Sequence, residues 1–133
     1  MYVRFHSPWA EVRRGVNYGL FGPAYDCARD PRVADVLRVA IAHEIDWFEQ
    51  HLPAPMRGYF WVKSRKRWRN VGICWFLGSA REMVSHAFTL ALLLRECGVP
   101  VSKVATHRPG QILYRDPWQI VAKPEAATPT VWH

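Results

Sequence analysis

Apolar residues between positions 33 and 52 recur at spacings of three and four, the period of a helix that buries one face. The positions in this stripe are Val33, Leu37, Ala40, Ile41, Ile45, Phe48 and Leu52. Asp30 suits the N-cap, Pro31 suits the first helical position, and Pro53 ends the pattern. The sequence therefore predicts a helix over residues 31–52.

A second stripe follows further along the chain, formed by Met83, Ala87, Leu90, Ala91 and Leu94. Ser79 and Glu82 have the spacing of a capping box, in which each side chain bonds a free backbone amide of the first turn. Gly98 occupies the position where a left-handed C-terminal cap is expected. These features predict a helix over residues 79–97.

Short apolar runs bounded by turn residues predict strands at 2–6, 59–62, 71–76, 99–106, 112–114 and 118–122. The run 71–76 contains few polar residues and is expected to be buried on both faces. Pro109 and Gly110 predict a type II turn. Residues 15–22 fit either a strand or an irregular loop, and 24–28 fit a short helical turn.

The order of these elements predicts an α+β fold. A strand, a helix and a strand over 71–106, followed by a hairpin, indicate a mixed sheet. We expect a two-layer sandwich with the helices 31–52 and 79–97 on one face of the sheet. The predicted core contains Leu37, Ile41, Ile45, Phe48, Met83, Ala87, Leu90 and Leu94. Residues 1–124 are predicted to form a single domain and residues 125–133 a flexible tail.

Size and charge narrow the class of protein. The chain has 133 residues, of which 50% are hydrophobic, enough for one packed core. Eighteen Lys and Arg residues against 11 Asp and Glu give a net charge of +7, which favours phosphate-rich or acidic partners. The longest apolar run, 87–94, is too short to cross a bilayer. The N-terminus lacks the layout of a signal peptide. We therefore expect no membrane association and a cytoplasmic location.

The three cysteines, Cys27, Cys74 and Cys97, are an odd number without a Cys-x-x-Cys pair. This pattern gives no disulfide framework and no zinc site, and each thiol is expected to be a small buried hydrophobe. His43 and Glu44 begin a metalloprotease-like pattern, but Trp47 replaces the second histidine that the metal would need. We expect no metal. No glycine-rich nucleotide loop occurs either, so no cofactor is expected.

The segment 59–69 combines clustered positive charge with aromatic residues. Five of the seven residues 63–69 are Lys or Arg, and aromatic residues flank them. Cations bind phosphates, and unpaired bases stack on aromatic rings, so the pattern favours single-stranded nucleic acid or a shaped RNA. The predicted binding residues are Trp61, Lys63, Arg65, Lys66, Arg67, Trp68 and Arg69. The alternative interpretation is a solvated basic loop whose aromatic residues belong to the core.

Two resemblances rest on the C-terminal strands. Residues 112–116 and 121–124 resemble the strand that opens the catalytic domain of large-family pseudouridine synthases, but no aspartate follows Pro124, and that identity is rejected. A wider pattern resembles a group of small uncharacterised bacterial proteins and carries no activity across to this chain. That pattern comprises Gly19-Leu20-Phe21, Ala24-Tyr25, Trp47-Phe48, Ile73-Cys74-Trp75-Phe76, Pro109-Gly110-Gln111-Ile112-Leu113-Tyr114, Asp116 and Gln119-Ile120-Val121-Ala122.

Three functions remain open from the sequence. The first is a small basic domain that engages nucleic acid or a nucleoprotein complex through residues 59–69. The second is an enzyme similar to mono-ADP-ribosyltransferases, with His6 and Gln119 on an early and a late strand and Tyr59 or Tyr114 against the nicotinamide ring. The third is a small inhibitor from a mobile element that binds an acidic protein surface. The sequence assigns no catalytic residue.

Overall fold

The computed structural model describes residues 1–7, 10–11, 16–17 and 19–130. The strands are β1 (Tyr2–His6), β2 (Ala10–Glu11), β3 (Val16–Asn17), β4 (Trp61–Ser64), β5 (Arg67–Asn70), β6 (Ile73–Leu77), β7 (Ser102–Thr106), β8 (Gln111–Arg115) and β9 (Gln119–Lys123). The helices are α1 (Phe21–Arg29), α2 (Asp35–His51) and α3 (Arg81–Glu96), with a 3₁₀ turn at Arg57–Phe60. Of the predicted segment 15–22, residues 15 and 18 lie outside the described part, while 16–17 pair with 10–11.

Five strands form the main sheet, in the order β7-β1-β6-β9-β8. The predicted α+β sandwich is confirmed. The prediction of a mixed sheet is wrong, because every neighbouring pair in this sheet is antiparallel. The reason is that β1 inserts between β6 and β7, so the two strands joined through α3 are not neighbours. β2–β3 and β4–β5 form two separate two-stranded sheets.

The main core lies between the sheet and three helices rather than the predicted two. It joins Val3, Phe5 and Phe76 of the sheet to apolar residues of α1, α2 and α3. Of the eight predicted core residues, seven are buried and Leu37 is half-buried. Alternate positions on β6 and β9 build a second cluster of buried residues, comprising Ile73, Trp75, Ile120 and Ala122.

Both long helices begin later than predicted. The Asp30 carboxylate accepts the backbone N–H of Arg32 and pairs with its guanidinium, so the chain makes a turn before α2 begins at Asp35. The predicted capping box is also wrong, because Ala80 is the N-cap of α3 and no side chain caps it. The predicted C-cap is confirmed by Gly98, whose φ is +86°.

The turn before β8 depends on a glycine. Gly110 has a φ of +101°, and a Cβ there would lie 1.9 Å from the carbonyl oxygen of Lys123. Thr128, within the segment predicted to be a flexible tail, is buried and donates a hydrogen bond of 2.9 Å to the carbonyl of Arg108. That part of the segment therefore packs on the same turn. Residues 131–133 lie outside the described part.

Candidate functional site

The cationic segment forms a two-stranded antiparallel ribbon, residues 61–70, here called the basic ribbon. Trp61 pairs with Asn70 and Ser64 with Arg67, which leaves Arg65 and Lys66 as a two-residue turn. The sequence predicted a strand over 59–62 followed by a surface loop, and this is corrected. Both turn residues have positive φ, 48° and 65°, as a tight hairpin turn requires. The usual Asn-Gly signal is absent, so the hairpin gave no recognisable pattern.

The cations of the basic ribbon are all exposed to solvent: Lys63, Arg65, Lys66, Arg67 and Arg69. None of them forms an ion pair with a carboxylate of the described residues. Trp61 is half-buried, and the side chain of Trp68 lies outside the described part. Six of the seven predicted binding residues therefore have a described side chain, and five of these are accessible.

The two faces of the ribbon both carry charge. Side chains two residues apart on a strand share a face, which places Arg67 and Arg69 together on one side. The register places Lys63 on the opposite side from Arg67, with Trp61. Arg65 and Lys66 form the tip. The ribbon therefore presents cations on both faces and at its end instead of on one flat surface.

The base of the basic ribbon is held at a fixed point beside the main sheet. The carbonyl of Phe60 accepts the N–H groups of Val71 and Gly72, at 2.8 and 3.0 Å. A Cβ on Gly72 would lie 2.7 Å from a methyl group of Val121 and 2.8 Å from the Cα of Phe60. The close approach requires glycine here, and it sets where the ribbon leaves the body.

An aromatic pair lies next to the base of the ribbon. The rings of Tyr59 and Tyr114 are 4.9 Å apart, and Tyr59 is 38% exposed. The Tyr114 hydroxyl donates a 2.8 Å hydrogen bond to Asp116, which raises the pKa of Tyr114. Tyr59 thus presents a partly exposed ring in the turn that leads directly into the basic ribbon.

A cavity of about 610 Å³ lies beside this base. Its walls come from α1, α2, β1, β6, β9 and the Pro53–Pro55 segment, and they are predominantly apolar. The lining residues include Phe5, Leu20, Phe21, Ile45, Phe48, Leu52, Phe60 and Phe76. The cavity has no sequence signature, because its aromatic residues are spread along the chain and have the pattern of ordinary core positions.

Few polar groups line the cavity. Arg4 and Gln119 are buried, at 8% and 3% exposure. The amide nitrogen of Gln119 donates to the carbonyl of Pro53 at 2.6 Å and to Asp116 at 3.0 Å. Its amide oxygen accepts no hydrogen bond from the described residues. Gln119 therefore ties the end of α2 to the sheet and presents an acceptor.

The Asp116 carboxylate accepts hydrogen bonds from Tyr114, Trp118 and Gln119. Partial burial disfavours its charge, but hydrogen bonds from the Gln119 side chain, the Trp118 and Gln119 amides and the Tyr114 hydroxyl outweigh burial and lower its pKa. Because the folded-state pKa lies below the unfolded value, this stabilisation is present above the unfolded pKa. It is lost as pH falls through the folded pKa.

Replacing Asp116 with Asn is therefore expected to destabilise the fold in a pH-dependent way. Asn keeps an oxygen for the two backbone amides, but its NH₂ group faces the Gln119 amide, which is also a donor. We expect a loss of about 1–3 kcal/mol at pH 7, typical of hydrogen bonds to a charged group. Urea unfolding from pH 7 to 2 should show the difference from wild type shrinking below about pH 4. A constant difference over that range would contradict this role.

The structure does not bring together His6 and Gln119, the two residues named for the ADP-ribosyltransferase alternative. Gln119 is the register partner of Phe76, whereas His6 lies three residues beyond Val3, the last β1 residue that pairs with β6. Gln119 lines the cavity, but His6 is not among its lining residues. The side chains of His6 and Gln119 therefore do not meet in this cavity, as the ADP-ribosyltransferase alternative requires.

The cysteines differ from one another more than predicted. Cys27 is buried and burial raises its pKa to about 11, and burial also raises the pKa of the half-buried Cys97. Cys74 is exposed and lines the cavity, so the prediction that it is a buried hydrophobe is wrong. The reason is that the helical layer leaves the cavity uncovered over this part of β6.

Glu44 was predicted to lie on the polar side of its helix with His43 and Asp46. His43 and Asp46 are exposed, but Glu44 is buried and lies 2.7 Å from Nδ1 of His86. That placement corrects the prediction, since an apolar periodicity does not show a long-range polar pair. No cluster of metal-binding side chains occurs among the described residues. No helix of the described part is long and apolar enough to cross a membrane.

No family model, curated protein or solved structure matches the chain. The resemblance to small bacterial proteins therefore stays a prediction.

Proposed function

We propose that the protein is a nucleic-acid-binding domain and that the basic ribbon is its contact surface. The observation that supports this proposal is the exposure of all five ribbon cations without an ion pair to a described carboxylate. Cations that are not neutralised within the protein are available to phosphates, and each phosphate contact releases condensed counterions.

The shape of the ribbon suits a phosphate backbone. A two-stranded ribbon with cations on both faces and at the tip can contact phosphates on either side as a strand bends around it. The rigid base, held through Phe60 and Gly72, supports binding because the cations are presented without ordering a flexible loop first. The net charge of +7 adds long-range attraction for a polyanion.

The aromatic pair favours single-stranded nucleic acid as the ligand. The half-exposed Tyr59 ring lies at the base of the ribbon, where an unpaired base can stack while the backbone follows the cations. A duplex keeps its bases stacked inside the helix and would gain nothing from this ring.

The proposal is tested by fluorescence anisotropy with a labelled 20-nucleotide single-stranded RNA at 50 mM KCl. The expected result is saturable binding to RNA that is tighter than binding to a duplex of the same length. Polyglutamate of matched charge is the control for an acidic protein partner. Binding to polyglutamate without binding to RNA or DNA would reject nucleic acid and favour an acidic protein surface, the partner expected of an inhibitor.

Replacing Tyr59 with Ala is expected to weaken single-strand binding by about 1–3 kcal/mol, the usual contribution of one stacked base. The salt dependence of binding should not change, because stacking releases no counterions. Anisotropy titrations at several KCl concentrations measure both quantities. Tyr25→Ala, at a tyrosine on α1 that is 37% exposed, is the matched control. An unchanged affinity in the Tyr59 variant would show that this ring does not stack.

A further inference from the structure

We propose that the cavity beside the ribbon base is a binding site for a small aromatic carboxylic acid. The proposal does not rest on the nucleic-acid function. A volume of about 610 Å³ lies in the range of pockets that enclose a drug-sized molecule. Its apolar walls, combined with a few buried polar groups, are the usual composition of a ligand site.

The wall residues favour a planar aromatic body. Aromatic side chains come from three helical or turn segments and from two strands: Phe5, Phe21, Phe48, Phe60 and Phe76. The rings of Phe21 and Phe48 are already in edge-to-face contact, with centroids 5.0 Å apart. Such rings pack against a flat ligand in the offset or edge-on arrangements that aromatic groups prefer.

The charge of the buried polar residues favours an acid. Arg4 is buried and lines the cavity, and its Nη2 lies 3.9 Å from the point where a Cβ on Gly19, another wall residue, would be. Arg4 also interacts within the protein. A guanidinium has five N–H donors, so it can bond a carboxylate in addition to a protein group.

The orientation of the ligand follows from the opposite charge at the cavity. Glu49 also lines the cavity, but it is solvent-exposed and accepts a 2.7 Å hydrogen bond from the Tyr25 hydroxyl. The ligand carboxylate is therefore expected at the buried Arg4 end, away from Glu49. The amide oxygen of Gln119 can accept a hydrogen bond from a hydroxyl or amino substituent on the ring.

Cys74 provides a direct reporter of occupancy. It is exposed and lines the cavity, whereas burial raises the pKa of the thiols of Cys27 and Cys97. The thiolate is the reactive form, so iodoacetamide near pH 8 should alkylate Cys74 first. A molecule in the cavity should slow the alkylation of Cys74 without slowing the alkylation of other groups on the surface.

The test compares 2-naphthoic acid with its neutral amide, 2-naphthamide, by isothermal titration calorimetry. We expect the acid to bind with one-to-one stoichiometry and the amide to bind about ten- to a hundredfold more weakly, since a hydrogen bond to a charged group is lost. Arg4→Met should remove the difference between the two compounds. Arg32→Met, at an exposed arginine, should leave it unchanged.

If the Arg4 variant fails to fold, alkylation of Cys74 in the wild type, measured by mass spectrometry, still tests whether naphthoate occupies the cavity. Saturating naphthoate should slow the reaction at least tenfold, and naphthamide at the same concentration should slow it less. Cys74→Trp, which fills the cavity, should abolish naphthoate binding. An absence of saturable binding and protection would overturn the site. Equal binding of acid and amide to the wild type would overturn the proposed ligand class.

Discussion

Replacing Leu90 with alanine is expected to lower the free energy of unfolding by about 2–5 kcal/mol. Leu90 is fully buried, at 0% exposure, in the main core between α3, the other helices and the sheet. Truncating its side chain removes apolar contacts and leaves a cavity that the neighbouring residues fill incompletely. Urea unfolding followed by circular dichroism measures the change.

The matched control is on the same helix. Leu92 is 56% exposed, so Leu92→Ala removes the same atoms where no cavity can form. We expect it to change the unfolding free energy by no more than about 0.5 kcal/mol. Similar losses in the two leucine variants would contradict the placement of the core.

Replacing Arg65, Lys66 and Arg67 together with alanine is expected to weaken binding to single-stranded RNA by roughly several hundredfold at 50 mM KCl. The estimate takes about 0.7 units of salt slope for each of the three lost phosphate contacts and extends it from about 1 M salt, where counterion release no longer contributes, down to 50 mM. Anisotropy titration measures the loss. All three side chains are exposed, and alanine carries the same Cβ as arginine and lysine at the two positive-φ turn positions, so the variant should unfold close to the wild-type urea concentration.

A second triple variant controls for total charge. Arg29, Arg81 and Lys103 are also exposed, and they lie on α1, α3 and β7, outside the ribbon. Changing them to alanine removes the same three positive charges. We expect at most a few-fold loss of affinity, because long-range attraction falls but no phosphate contact is lost.

The sequence predicted those parts of the fold that depend on local periodicity. The stripes that include Ile41 and Leu90 identified α2 and α3, and Gly98 marked the end of α3 correctly. The start of α2 was misplaced because Asp30 bonds Arg32 in a turn and does not cap the helix. The antiparallel sheet could not be predicted, because the insertion of β1 between β6 and β7 is a long-range event that no local pattern records.

Of the two candidate sites, the sequence indicated the cations of the basic ribbon but not the cavity. The cations of the basic ribbon are close together in the sequence, so the local composition indicated them. The hairpin was not predicted, because Arg65 and Lys66 stand where Asn-Gly usually marks such a turn. The cavity joins Arg4, Phe48 and Gln119, which are far apart in sequence and resemble core residues one by one. A cavity is a defect in packing between elements, and packing defects leave no periodic signal.

Contact between the basic ribbon and phosphates is measured by the slope of log K against log [KCl] for single-stranded RNA. The slope should be flatter by about two units in the Arg65, Lys66 and Arg67 triple variant than in the wild type. The Arg29, Arg81 and Lys103 variant should keep nearly the wild-type slope. Equal slopes in the wild type and the ribbon variant, with both folded, would contradict the proposed function.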